Sequence, residues 1–249
     1  MSNRLKCIIY IYKMLFISPP FGNYIHLPQT KSIKGSYTLE PRDGLFLQIL
    51  KTLRFSFDKN GWVNKIGLRN KGLQYGIDNY NHKTDILSIA IMKESEIKPI
   101  LKMLPENTNI ELNVSCPNIN KHLNDKGIGN FLNQHREWCI VKLSPLTKNK
   151  TIKNYYSMGF RQFHCCNTLP VTRGGLSGPT LIPYVSKMIK VIEKYPNTTI
   201  IAGGGIQNMQ TLNGYKNIGA VNFSVSSIFF YPIKCAIFFD GYYTNFKKS

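Results

Sequence analysis

The chain has 249 residues, 43% of them hydrophobic and 12% aromatic, which is enough to bury one large core or two small ones and excludes a disordered polymer. Lys and Arg number 32 against 13 Asp and Glu, a formal charge of +19. The basic residues run from Arg4 to Lys248 without a dense block, so nucleic acid is disfavoured as a partner and anionic small molecules are favoured. Six cysteines, with neither CxxC pairs nor histidine at zinc spacing, exclude a disulfide scaffold, argue against a metal site and point to a reducing, cytoplasmic setting.

Residues 7–18 form an apolar run after Arg4 and Lys6, interrupted by Lys13 and followed by no small-residue cleavage site; they read as a leading strand. No stretch reaches transmembrane length, and no membrane partner is expected. A single domain over residues 1–249 is expected, with a basic N-terminal extension of about 13 residues. Leu15 to Ser18 reads as a short strand ended by Pro19 and Pro20. Residues 29–44 are polar and turn-rich and read as an extended loop or hairpin. Residues 45–57 mix apolar and basic side chains and suit a helix or a lid, and 62–72 is a turn region centred on Asn64 and Gly67.

From Asp85 the pattern becomes regular. Strands are expected at 86–91, 109–114, 138–143, 162–166, 199–202 and 220–225, with helices at 93–103, 148–157, 180–195 and 208–215. Residues 174–178 read as a glycine loop, with Pro179 just inside the helix that follows. Cys165 and Cys166 sit in an apolar run and read as buried. Strands alternating with helices imply βαβ units and an α/β fold with a largely parallel sheet. Cys116, Lys142, Asn167, Gly203 and Ser226 all fall at strand ends, which is where a TIM (β/α)8 barrel keeps its active site. A doubly wound open sheet is the alternative, although no GxGxxG follows the first strand.

Residues 111–118, Glu-Leu-Asn-Val-Ser-Cys-Pro-Asn, present a thiol between two carboxamides at the end of an apolar strand. Asparagine both donates and accepts, so a pair can read a heterocycle with amide-like edges. Taken alone, the motif is equally compatible with a buried structural cysteine beside an Asn-Pro turn. The glycines at 174–175 and 203–205 and the serines at 226–227 form a candidate phosphate cradle, since backbone N–H groups approach closely where side chains are small. Lys142 interrupts the run Cys-Ile-Val-Lys-Leu and either points into the site or is a wet residue on the alternating face. A flavin would give it a task, offsetting negative charge at the N1/C2 carbonyl edge.

Asn113-Val-Ser-Cys-Pro-Asn118 resembles the signature of the dihydroorotate dehydrogenases, FMN-dependent TIM-barrel enzymes that oxidise dihydroorotate to orotate in pyrimidine synthesis. Phe21-Gly-Asn23, Lys34-Gly-Ser-Tyr-Thr-Leu-Glu-Pro-Arg-Asp-Gly44, Asn64-Lys-Ile-Gly-Leu-Arg-Asn70, Val141-Lys-Leu143, Asn167-Thr168, Gly174-Gly-Leu-Ser-Gly178 and Ala202-Gly-Gly-Gly-Ile206 follow in the family's order. The resemblance implies that Cys116 is the base for the C5 proton, while the C6 hydride passes to flavin N5. It implies that Asn64, Asn113, Asn118, Asn167 and Thr168 hold the pyrimidine, with backbone groups of Ile66, Gly67 and Leu68 at the carboxylate. Lys34 (with Lys31 as its rival) would lie at the flavin–substrate junction and have a catalytic role. Lys142 and Asn113 would contact the flavin, and Gly175, Gly204, Gly205, Ser226 and Ser227 its phosphate. A cysteine base resembles the soluble, class 1 branch; a free thiol has a pKa of about 8.5 and reaches its proton-accepting form more readily than a hydroxyl.

Only about ten residues separate Asn23 from Lys34, so the barrel is expected to be abbreviated in its N-terminal part. A degenerate FMN barrel, or a flavin oxidoreductase for another reduced pyrimidine, is the alternative function. The apolar tail from Phe229 to Tyr243 is compatible with a homodimer.

Overall fold

The computed structural model describes residues 14–114 and 125–246. The chain opens with β1 (Leu15–Ile17), a single 3₁₀ turn (Phe21–Asn23) and β2 (Thr30–Tyr37). An excursion follows, made of α1 (Leu45–Thr52), β3 (Arg54–Ser56), β4 (Gly61–Asn64) and α2 (Gly72–Asp78). The regular part comprises β5 (Asp85–Ile89), α3 (Ile97–Met103), β6 (Ile110–Asn113), β7 (Cys139–Leu143), α4 (Asn149–Ser157) and β8 (Gln162–Cys165). A hairpin of β9 (Leu169–Val171) and β10 (Gly174–Ser177) precedes α5 (Ile182–Ile192), β11 (Thr199–Gly203), α6 (Met209–Asn217), β12 (Asn222–Val225) and α7 (Pro232–Phe246).

Strands β1, β2, β5, β6, β7, β8, β11 and β12 pair in that order and close on themselves, every pair parallel. This is a (β/α)8 barrel, and the open-sheet alternative is excluded. Its strands alternate between two environments. Leu87 and Ile89 of β5, Ile110 and Leu112 of β6 and Val141 and Leu143 of β7 pack outward into the layer that holds the helices' apolar residues. A separate small cluster of Phe16, Ile33, Ile86, Trp138, Ile140 and Ile201 fills the barrel floor.

Two expectations are corrected. Residues 30–37 are neither loop nor hairpin but the second barrel strand, paired to β1 and β5 on its two sides. Its lysines hid it, because Lys31 and Lys34 send their ammonium groups to Glu137 and Asp85 at salt-bridge distance. Among the described residues the abbreviation shows in the connection from β1 to β2. The eight strands close, while a 3₁₀ turn stands where a first helix would be. The expected glycine loop at 174–178 is, over Gly174–Ser177, β10, one of the two inner strands of an antiparallel sheet β3-β4-β10-β9. That sheet is built from the segments that follow β2 and β8, so it stands at the carboxyl end of the barrel. Residues 45–57 supply α1, none of whose residues is buried, followed by β3.

The short link from β1 to β2 is held by Asn23, whose Nδ2 donates to the Gly35 carbonyl (3.3 Å) and whose Oδ1 accepts from the Gly35 N–H (2.8 Å). Gly35 has φ +117°, and a Cβ there would lie 2.6 Å from the Ser88 carbonyl oxygen. Gly35→Ala is therefore expected to destabilise the protein by about 3 kcal/mol, read from the midpoint of urea unfolding.

Candidate active site

Inside the barrel, one level above its apolar floor, lies a buried charge cluster. Glu111 on β6 is fully buried. Its Oε1 receives the Lys142 ammonium at 3.3 Å and the Ser88 hydroxyl at 2.8 Å, and its Oε2 faces His164 Nδ1 at 2.6 Å. Neighbouring strands bring these groups together: Glu111 pairs with Ser88 of β5, and Lys142 of β7 pairs with His164 of β8. A carboxylate in such a place is tolerable only when it is paired and hydrogen-bonded.

Burial alone would raise the Glu111 pKa. Lys142, then His164, and the hydrogen bonds from His164 and Ser88 outweigh it and hold the pKa at about 2. Burial pushes the His164 imidazole below its ordinary value, with the Glu111 charge opposing and the Lys142 charge assisting. The cluster is then Glu⁻, Lys⁺ and a neutral imidazole whose Nδ1–H donates to the carboxylate, which leaves Nε2 as an acceptor beside Gly203.

Above the cluster a chain of hydrogen bonds climbs to the carboxyl end of the barrel. Ser88 and Ser36 share a hydrogen bond (2.8 Å), and Ser36 accepts from Asn113 Nδ2 (2.9 Å). Asn113 Oδ1 accepts from Asn167 Nδ2 (3.2 Å), and Asn167 Oδ1 from the Thr168 N–H (2.9 Å). The structure thus brings Asn113, Asn167 and Thr168 together. Gly175 joins them: it pairs with Asn64 across the small sheet, and a Cβ on it would collide with the Thr168 hydroxyl. The Ile66–Leu68 loop adjoins β4, with left-handed backbone at Gly67 (φ +71°) and Leu68 (φ +56°). It is clamped by Gln48 on the Lys65 carbonyl (2.8 Å) and Asn70 on the Leu68 carbonyl (2.8 Å).

Lys142, Asn167 and Thr168 also line a cavity at the carboxyl ends of the strands, together with Gly203, Gly204, Gly205, Ser226 and Ser227. Ser226 has negative φ, and its hydroxyl donates to the Pro19 carbonyl (3.0 Å), so its side chain is anchored to the end of β1. Each glycine also has a packing reason. A Cβ on Gly203 would strike His164, Gly204 has φ +102°, and a Cβ on Gly205 would press on Ile182 and the Gly178 carbonyl. Among the described residues the lining includes Lys142, His164 and five serines but no carboxylate. That donor set fits an anionic, phosphate-bearing cofactor.

Lys34 is elsewhere. Its ammonium contacts the buried Asp85 carboxylate (2.7 Å) and donates to the Asn79 carbonyl (3.1 Å) at the end of α2, between barrel and helix. Its rival Lys31 contacts Glu137 (3.4 Å) and also faces outward. Cys116 and Asn118 lie outside the described residues, as do residues 1–13. Cys166 lines the cavity, but burial pushes its thiol up to about 12, so it is no base near neutrality. Cys165 and Cys166 are both buried and free, as expected from their apolar run.

Sequence reasoning passed over Glu111, His164, Ser36, Ser88 and Asn70. A signal existed for the first two: each is a polar interruption of an apolar strand, the same feature that singled out Lys142. No helix among the described residues is long and apolar enough to cross a membrane.

Barrel closure defines the class as a (β/α)8 barrel, with a lysine beside a glycine- and serine-lined cavity and clustered carboxamides at its carboxyl end. No family model matches the chain. It is 30% identical over 225 residues to the catalytic subunit of dihydroorotate dehydrogenase B (NAD(+)) of Desulforamulus reducens, an alignment that covers 76% of this chain and 72% of that relative. The Staphylococcus carnosus protein of the same name is 27% identical over 233 residues, covering 80% and 76%. The crystal structure of dihydroorotate dehydrogenase from Eimeria tenella in complex with ferulenol superposes with a TM-score of 0.64 at 18% identity, covering 84% of this chain and 72% of that one, a likeness of fold. The chain belongs to the dihydroorotate dehydrogenase family. Membership supports a flavin oxidoreductase function in general and suggests an FMN-binding type of barrel.

The charge cluster has a consequence for acid stability. A buried neutral imidazole stabilises the fold above the unfolded-state pKa of about 6.5 and loses that contribution as pH falls. The Glu111 contribution, on the order of 3 kcal/mol, is present above the unfolded carboxyl pKa and is lost as pH falls from about 4.5 towards about 2. Urea midpoints measured from pH 8 to pH 3 should therefore fall in two stages, and the difference between wild type and His164→Gln should isolate the first.

Proposed function

We propose that this protein uses FMN to oxidise dihydroorotate, or a closely related reduced pyrimidine carboxylate, to its unsaturated product. The observation that carries this reading is the meeting of Asn113, Asn167 and Thr168 beside the Lys142 cavity, in a chain of this family. The two carboxamides and Thr168, with Asn64 and Asn118, hold the ring, and backbone groups of Ile66 to Leu68 receive the carboxylate. Cys116, in the Asn-Val-Ser-Cys-Pro-Asn motif, takes the C5 proton as thiolate. FMN, when bound, supplies the hydride acceptor at N5. Gly204, Gly205, Ser226 and Ser227 hold its phosphate, and Lys142 sets positive charge against its electron-rich edge. The charge of +19 favours encounter with both anions. The Lys34 contacts with Asp85 and Asn79 favour a structural role for that lysine and leave Lys142 as the cation of the site among the described residues.

The purified protein is expected to carry or take up FMN, and anaerobic dihydroorotate should bleach the flavin bands. Cys116→Ala should slow that bleaching by about 100-fold or more with flavin still bound. Absence of any spectral change on adding FMN would end this reading. Bound flavin that another dihydropyrimidine bleaches and dihydroorotate does not would reassign the substrate. Lys142→Ala should weaken FMN binding and leave Glu111 without its principal counter-charge, lowering the thermal midpoint as well.

A further inference from the structure

The hydrogen-bond chain between Glu111 and Thr168 can run in one direction only. At its lower end Glu111 Oε1 already receives an ammonium, which has no acceptor, so that oxygen carries no proton and Ser88 must donate to it. The Ser88 oxygen then accepts from the Ser36 hydroxyl, and the Ser36 oxygen accepts from Asn113 Nδ2. At the upper end a backbone N–H, which can only donate, meets Asn167 Oδ1. Asn167 therefore turns Nδ2 to Asn113, and Asn113 turns Oδ1 to Asn167. A donor-only group and an acceptor-only group at opposite ends agree on every link between them, so each carboxamide has one amide orientation.

We propose that Glu111, Ser88 and Ser36 are positioning residues that act through this chain to fix which atoms Asn113 and Asn167 present to the substrate, and so select its pattern of donors and acceptors. An asparagine free to flip would accept either pattern; one held by its neighbours rejects the wrong one. The ionic cluster and the carboxamides are thereby a single unit, joined through Ser88 and Ser36. The role in selection rests on the pyrimidine reading above, whereas the fixed orientation belongs to the protein without any ligand.

The two are tested separately. In the ligand-free protein, side-chain amide resonances of Asn113 and Asn167 are followed by NMR in wild type, Ser36→Ala, Ser88→Ala and Glu111→Gln. Ser88 is one link removed from Asn113, so the informative result is Ser88→Ala. Solvent exchange of the Asn113 amide protons should speed up by about tenfold and their shifts should move. Wild-type shifts and exchange in Ser88→Ala would overturn the proposal. The serine variants leave the Lys142 and His164 contacts with Glu111 in place, so the test holds even where Glu111→Gln does not fold.

With orotate as the probe, Ser36→Ala and Ser88→Ala should each weaken binding by about five- to tenfold. The double variant should bind no worse than the weaker single one, because both break one chain. Multiplying losses would overturn the proposal. Ser32→Ala removes a different buried β2 hydroxyl, bonded to the Ile25 carbonyl and His26, and should leave orotate affinity unchanged. Orotate failing to bind wild type would refute the pyrimidine reading, while the NMR result would still decide the positioning role.

Discussion

The arrangement of the site follows from one decision: a carboxylate is placed inside the barrel, where no water can solvate it. An unpaired charge there would cost several kcal/mol, so the strands on either side must bring compensating groups to the same level. Parallel pairing does this without long-range adjustment. Ser88 sits opposite Glu111 on one side, and the next two strands offer Lys142 and His164 as a registered pair. Only one of the two bases needs to be charged for the cluster to balance, and burial keeps the imidazole neutral. The result is a near-neutral group of strong hydrogen bonds, rigid because each member has a partner that it cannot exchange.

That rigidity is passed upward. A barrel core of aliphatic side chains would hold the strands together as well or better, since buried ion clusters are weak sources of stability. It would not specify the orientation of an amide two strands away. The cluster also explains features that look local. Gly203 is a glycine because His164 occupies the volume of its missing Cβ, and Gly35 is one because the β2 backbone passes close to the Ser88 carbonyl. At Gly35 the missing side chain lets β2 and β5 run close together where Ser36 and Ser88 meet.

Much of the fold was readable because the regular βαβ part obeys simple patterns. The barrel strands among β5 to β12 are short apolar runs with polar ends, and helices follow β5, β7, β8, β11 and β12. The second strand escaped because Thr-Lys-Ser-Ile-Lys-Gly-Ser-Tyr has too few apolar residues for a buried strand. Its lysines reach outward to carboxylates supplied by residues 85 and 137, partners that no local pattern reveals. The β10 hairpin strand escaped for a related reason, since two glycines that suit a turn also suit a strand pressed against Thr168 and the Asn64 backbone. At the site, strand-end asparagines and the interrupting lysine were legible from residue type and position. Glu111 was in plain view within the quoted motif, but its role depends on His164, 53 residues away, and that pairing exists only once the barrel closes.

The glycines at 203–205 show why a motif and its function have to be separated. They suggest a phosphate cradle, yet each is also required by packing: Gly203 by His164, Gly204 by its left-handed backbone beside Leu181, and Gly205 by the start of α5. An anion is favoured more by the composition of the cavity wall, which among the described residues includes Lys142 and five serines and no carboxylate. Glu111 supplies that missing negative charge from beneath. It holds Lys142 in place without itself lining the cavity, so among the described residues the wall carries the lysine and not the acid. The one interaction that makes the barrel interior tolerable for charge thereby also sets the position of the lysine at its mouth.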